Sequence, residues 1–283
     1  MIEVPDEARR RLVVRFGPGA TDWLDELPAL VGTLARRWGL QIDGPVLSGN
    51  SAIVLPADRG VLKLHPDGGI AADEAAALAH WSAASTVVDL LEHDEGALLL
   101  ARVRPGTAVP TALGTDPAVL PALVDLWTTP GAPDVPPLVD RVAFWHEKVR
   151  EHLDDERVRG VIPPEVLDRG AGEAEVLAAR PGHEGLVHGD LHAGNLLTGP
   201  AGAVVVDPRP CRGDRTFDLV DPVLVEGRPE RVVPELARRL DGLDPDLLHA
   251  WCRALAPANA IAALRTDPGS ARTAALVALA LRD

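Results

Sequence analysis

Between two apolar runs of this 283-residue chain lies the segment His188-Gly189-Asp190-Leu191-His192-Ala193-Gly194-Asn195. Two glycines place its ionisable side chains in a turn, not on a helix face. Twelve residues after Asn195, Asp207 ends the apolar run Val204-Val205-Val206. The order offers one carboxylate to orient a hydroxyl, then an amide oxygen and a second carboxylate to hold Mg²⁺. Magnesium takes hard oxygen ligands, often only one or two carboxylates plus substrate phosphates. Phosphoryl transfer asks a protein mainly for positioning and charge neutralisation. Either feature alone also fits a turn residue or a strand-end cap; it is their combination that points to chemistry. His188 and His192 lie four apart, a spacing that on a helix would suit zinc, but the flanking glycines oppose a helix and no third ligand is evident.

Elements that position these residues follow from hydrophobic period and punctuation. Pro28 suits a first helical turn, with Leu30, Val31, Leu34 and Trp38 on one face and Gly39 as its stop. Val46–Leu55 and Gly60–Leu64 read as strands joined by a turn at 56–60. Ala71–Trp81 is helical, and Thr86–Leu90 and Ala97–Val103 are strand-like around a polar turn at 92–96. Beyond Arg104-Pro105-Gly106 helices dominate: one capped by Asp116-Pro117, then Leu138–Leu153, Pro164–Ala179, one capped by Asp244-Pro245, and Ser270–Leu281. Short strands return at Gly185–His188, Leu196–Thr198 and Ala203–Asp207. Lys63 stands out in Val61-Leu62-Lys63-Leu64, a cation among apolar neighbours that fits either the solvent side of an edge strand or a site.

Hydrophobic residues form 46% of the chain and aromatics only 3%, so the core rests on Leu, Val and Ala. Only two of the 28 basic residues, Lys63 and Lys148, are lysine. A formal charge of −14 disfavours a polyanionic partner such as nucleic acid and is compatible with a cationic small-molecule substrate. Cys211 and Cys252 lack metal-site spacing and are too few for a disulfide framework. No apolar run approaches the ~20 residues of a membrane span, and the N-terminus lacks a signal-peptide layout, so a cytoplasmic location is expected.

The pattern His188-Gly-Asp190-x4-Asn195 resembles the catalytic loop of the aminoglycoside phosphotransferase and choline kinase superfamily, a branch of the protein-kinase-like fold. The wider chain is similar to the subgroup of streptomycin 6-kinases and aminoglycoside/hydroxyurea resistance kinases. That similarity rests on Pro28-Ala29-Leu30-Val31, Leu47-Ser48-Gly49-Asn50-Ser51, Gly96-Ala97-Leu98-Leu99-Leu100 and Asp207-Pro208, over residues 15 to 225. The resemblance implies an α+β, bilobal protein-kinase-like fold. A small β-rich N-lobe (1–103) and a larger helical C-lobe (104–283) would hold ATP between them.

It further implies Asp190 as the catalytic base or hydroxyl-orienting group, with Asn195 and Asp207 as Mg²⁺ ligands. Lys63 would contact the ATP phosphates and be oriented by Glu74, since Asp73 faces about 100° away on a helix. Ser48, Gly49, Asn50 and Ser51 would form the loop over the phosphates, and the linker from Leu100 to Val103 would meet the adenine. His188 and Asp218 would brace the catalytic loop. Pro208 and Arg209 stand where protein kinases carry Phe and Gly, so the switching of that triplet does not transfer. Substrate carboxylates are sought in Asp214, Asp221 and Glu226, with Trp145, His146 and Glu147 equally open.

The expected activity is ATP- and Mg²⁺-dependent phosphorylation of a hydroxyl on a small molecule, foremost an aminoglycoside such as streptomycin. Alternatives are a kinase of another hydroxylated metabolite or hydroxyurea, a non-catalytic nucleotide-binding regulator, and a zinc hydrolase built on His188 and His192.

Overall fold

The structure, a computed structural model, describes residues 2–48, 51–109, 116–181 and 184–282. Gly49 and Asn50 of the expected phosphate loop lie outside the described residues. Two helices, α1 (Asp6–Phe16) and α2 (Ala20–Trp38), precede an antiparallel sheet of β1 (Leu47–Ser48), β2 (Ile53–Ala57), β3 (Gly60–Leu64), β4 (Leu90–Asp94) and β5 (Ala97–Leu100), in the order β1-β2-β3-β5-β4. Helix α3 (Gly68–His80) connects β3 to β4, opened by Asp67, whose carboxylate accepts from the N–H groups of Gly69 and Ile70.

Strand alternation divides the sheet between two cores. Ile53, Leu55, Leu62, Leu64, Ala97 and Leu99 pack against α1 and α2. Leu98 and Leu100 point the other way, into a core shared with α3 and the C-terminal helices. On that inner face β3 also presents Val61 and Lys63, which line a cleft. Register pairs Lys63 with Val54 on β2 and with Leu98 on β5, so the lysine is in a central strand and not at an edge.

The larger part contains α4 (Leu120–Thr128), α5 (Leu138–Arg150), α6 (Pro164–Ala178), α7 (Val220–Leu224), α8 (Pro229–Ala237), α9 (Pro245–Thr266) and α10 (Ala271–Ala280). Hairpin β7 (Leu196–Thr198) and β8 (Ala203–Val205) and the pair β6 (Gly185–Val187) with β9 (Cys211–Gly213) carry the polar segment and its return. Helix α9 lies among the others, with Trp251, Leu255 and Ile261 buried.

Several expected boundaries change. Helix α2 starts eight residues before Pro28, because Leu24 and Leu27 extend the buried stripe of Val31, Leu34 and Trp38 and its packing carries the helix through the proline. Helix α1 and strand β9 carried no clear sequence signal. Of the expected strand Thr86–Leu90, only Leu90 belongs to the sheet, as the first residue of β4. Instead, Val88 N donates to Val205 O (3.0 Å) and Val205 N to Thr86 O (2.7 Å), so the backbone of this segment is satisfied by β8 of the other part. The polar stretch 92–94 belongs to β4, leaving Glu95-Gly96 as the turn.

Candidate active site

Lys63, buried beneath the sheet, donates to both carboxylate oxygens of Glu74 at 2.7 Å and to Asp207 Oδ1 at 2.6 Å. Glu74 is fully buried and also meets His65 Nε2 at 3.2 Å, while His65 Nδ1 lies 3.2 Å from the carbonyl of Ser51. A buried cation and two carboxylates offset one another here, as burial demands. Burial pushes the Glu74 pKa up, but Lys63 and the His65 bond outweigh it and the carboxyl sits below its ordinary value. Asp207 shows the same balance: burial raises it, Lys63 and Arg209 lower it further, and it too ends below the usual range. Asp73, one residue before Glu74, is half-buried and has no part in this cluster.

The segment 188–195 is fixed from several sides. Asp218 accepts from the backbone N–H of His188 (2.6 Å) and of Gly189 (2.9 Å). The His188 ring is completely buried, faces Val206 O through Nε2 (3.1 Å) and receives the Asp190 N–H at Nδ1 (3.3 Å). Burial draws His188 down to about 4, so the ring is neutral near pH 7. Burial pushes Asp218 up to about 7, against the two N–H bonds that favour its anion. Gly189 has φ +75°, and a Cβ there would come within 2.1 Å of Arg209 O, so the turn that aims Asp190 requires glycine.

Asn195 donates through Nδ2 to the Asp190 carbonyl at 2.8 Å, which leaves its amide oxygen directed elsewhere. With Asp207, a non-glycine residue at φ +57°, it lines a cavity of about 570 Å³ under the sheet. The cavity walls are apolar, from Val54, Val61, Leu100, Val103, Leu197 and Val206, with Lys63 at the polar end. The linker 100–103 is thus part of that wall, as is Leu47 next to Ser48. Ser51 is buried and its hydroxyl accepts from Arg209. One amide oxygen and one carboxylate suit magnesium, which completes its shell with phosphate and water. Among the described residues no group of three His, Cys, Asp or Glu could hold a metal by itself. The zinc alternative fails on geometry, because both His188 nitrogens are engaged and His192 Nδ1 accepts from Gly194 N (3.0 Å).

Asp190 lines a second, smaller cavity of about 50 Å³ with Arg141, Trp145, Phe217, Asp221 and Asn259 around it. Arg141 donates to Asp190 Oδ1 (3.0 Å) and, through Nε, to Gly189 O (2.8 Å). Its signal was in the sequence, since Leu138, Arg141 and Trp145 share one face of α5, but a single arginine in an arginine-rich chain did not stand out. Burial chiefly, with Asp190 adding to it, pushes Asp221 up to about 6 despite His192 and Arg272.

The other substrate candidates are placed differently. Asp214 is buried, accepting from Trp251 Nε1 (2.9 Å) and Thr216 N (2.9 Å), so it caps the short 3-10 turn 215–219 and does not reach the cavity. Glu226 is not among the residues around either cavity. His146 is buried against Val142 O, and Glu147 is exposed.

Known proteins share this fold. Among solved structures, a choline/ethanolamine kinase family protein from Mesorhizobium loti superposes with a TM-score of 0.59 at 19% identity, covering 98% of this chain and 95% of that one. A choline kinase from Streptococcus pneumoniae gives 0.61 at 11% identity, over 90% and 99%. These likenesses establish the bilobal kinase-like fold. In sequence, a hydroxyurea phosphotransferase from Kitasatospora aureofaciens is 32% identical over 89% of this chain and 77% of its own length. A streptomycin 6-kinase from Streptomyces griseus is 31% identical over 77% and 73%. The family model described as aminoglycoside/hydroxyurea antibiotic resistance kinase matches residues 37–265, reaching into α9, well past the expected limit near 225. With lysine, two carboxylates and a braced Asp-x4-Asn loop joined in one cleft, and that match spanning most of the chain, the protein belongs to the aminoglycoside/hydroxyurea antibiotic resistance kinase family.

Proposed function

We propose that the chain transfers the γ-phosphoryl group of Mg²⁺-ATP to a hydroxyl of a small molecule, foremost an aminoglycoside of the streptomycin type. One observation carries the reading: the loop 188–195 lines two cavities, presenting Asp190 to the small one and Gly194 and Asn195 to the large one. The large apolar cavity under the sheet suits a nucleotide base, with Lys63 at its phosphate end, and the small one suits the acceptor.

The acceptor hydroxyl lies against Asp190, whose Oδ1 is held by Arg141, leaving Oδ2 for the hydroxyl proton. The acceptor oxygen bonds to the γ-phosphorus as the bond to the β–γ bridging oxygen breaks; the proton passes to Asp190 and ADP leaves. Asn195 and Asp207 would hold magnesium, which when bound neutralises charge on the β- and γ-phosphates. Lys63, kept in place by Glu74, addresses the phosphates. Asp190 and half-buried Asp221 give the acceptor cavity an acidic side suited to a cationic ring substituent. A second reading, hydroxyurea as acceptor, is favoured by the small volume of that cavity and by the relative that matches 89% of the chain.

The test is ATP consumption with a panel containing streptomycin, other aminoglycosides, hydroxyurea and neutral polyols, with Asp190→Ala as control. Acceptor-dependent ADP release by the wild type and its loss in the variant are expected. Turnover of none of these acceptors, or an unimpaired variant, removes the assignment.

A further inference from the structure

Two residues past Asp207, Arg209 occupies the position between the phosphate-loop side of the cleft and the catalytic turn. Its backbone is locked there: its N–H donates to His188 O at 2.8 Å, and its carbonyl packs under Gly189. From this anchor the side chain crosses to the N-terminal sheet, where Nη2 donates to the hydroxyl of buried Ser51. The other terminal nitrogen, Nη1, is shut off from solvent and has no hydrogen-bond partner among the described residues. A buried donor without a partner is rare in folded proteins and marks a place where something else completes the bond.

Charge accounting points the same way. Lys63 is matched by Glu74 and Asp207, and Arg141 by Asp190. Arg209 forms no ion pair among the described residues. Arg15, at the end of α1, also comes close: partial desolvation, then the Arg209 and Arg141 guanidiniums, pull its pKa below the ordinary arginine value, with Asp190 and Asp207 acting oppositely. Crowded guanidiniums with one unspent buried donor are the surroundings of an anion. The only polyanion the proposed reaction brings to this place is the nucleotide phosphate chain, at its terminal end beside Asp190.

Resting on the kinase reading, we infer that Arg209 is a catalytic residue that binds the terminal phosphoryl group of the nucleotide, its free Nη1 donating to an oxygen of the γ-phosphate. It thereby ties that group to Ser51 above and to the Asp190 turn below. The planar fork supplies two donors in one plane, which a lysine does not. Charge that builds on the transferring phosphoryl group meets a cation whose backbone is already anchored to the Asp190 turn.

The experiment compares wild type, Arg209→Gln, Arg209→Lys and Ser51→Ala by binding of Mg²⁺-ADP and of a non-hydrolysable Mg²⁺-ATP analogue, followed by calorimetry, and by steady-state kinetics. Arg209→Gln is expected to weaken the triphosphate analogue at least tenfold, to leave ADP within about twofold, and to lower kcat by about 10²-fold. Arg209→Lys should fall between, and Ser51→Ala should lose much less kcat than Arg209→Gln. Equal effects on ADP and on the analogue, or a Ser51→Ala variant as impaired as Arg209→Gln, would reduce Arg209 to a brace and overturn the inference. Thermal unfolding of each variant confirms that losses are measured on folded protein. If wild type binds neither nucleotide, it is the kinase reading that fails; if it binds both and Arg209→Gln discriminates no further, only the role of Arg209 fails.

Discussion

Replacing Gly189 by alanine tests whether the turn that carries Asp190 is positioned by close backbone approach. Two costs follow from the geometry. The residue sits at φ +75°, where a Cβ costs roughly 1–2 kcal/mol. That Cβ would also meet Arg209 O at 2.1 Å, so the Arg209 backbone must retreat, straining its bond to His188 O and the Gly189–Asp218 bond. Losing one such bond adds about 1 kcal/mol, for a total of about 2–3 kcal/mol. In a chain of this size that lowers Tm by roughly 3–5 °C. Gly160 supplies the control: it has φ +77°, and an added Cβ meets nothing within 4 Å. Gly160→Ala therefore carries the strain alone and should lower Tm by roughly 2–3 °C with kcat unchanged. In Gly189→Ala a shift of Asp190 on the order of 1 Å should lower kcat by about 10²-fold. Acceptor-dependent ADP release at a temperature where both variants are folded separates the two. A folded Gly189→Ala variant with kcat within about threefold of wild type would refute the claim that this approach aims Asp190.

Three further outcomes are expected. Glu74→Gln leaves Lys63 with two acceptors in place of three and one balancing carboxylate in place of two, and should destabilise the fold by about 3 kcal/mol and raise KM for ATP more than it lowers kcat, as read by urea unfolding and kinetics. Burial holds His188 at about 4, so the unfolded chain takes up a proton there from about pH 6.5 downward while the folded protein resists until about pH 4. Wild type should therefore lose about 3 kcal/mol between those values that His188→Gln does not lose. Asp218 contributes with opposite sign, since its raised carboxyl favours the folded state as pH falls, but it does so in both proteins and cancels from the comparison. Chelation of divalent cations should abolish turnover, magnesium should restore it, and Asn195→Ala should raise the magnesium concentration needed, as measured by titration of activity.

Residue types and spacing were enough to single out a candidate centre. An Asp between apolar runs, an Asn five residues later and a strand-end Asp are local patterns, so Asp190, Asn195 and Asp207 could be named from the chain alone. So could most helices of the C-terminal part, whose stripes and caps are also local: Asp244 caps α9 by accepting from Asp246 N and Leu247 N. The sheet face on which Lys63 lies was undecided, because alternation within five residues fits an edge as well as a centre. Pairing with β2 and β5 settled that point. Asp214 looked like a substrate carboxylate until Trp251, 37 residues away, supplied its hydrogen bond. Arg141 and Arg209 were hidden for the same reason, their partners being Asp190 and Ser51, 49 and 158 residues distant in sequence. Composition, periodicity and short motifs determine which chemistry is present and which segments are helix or strand. Which charged groups face one another is fixed only when distant strands and helices pack and burial forces each charge to find its partner.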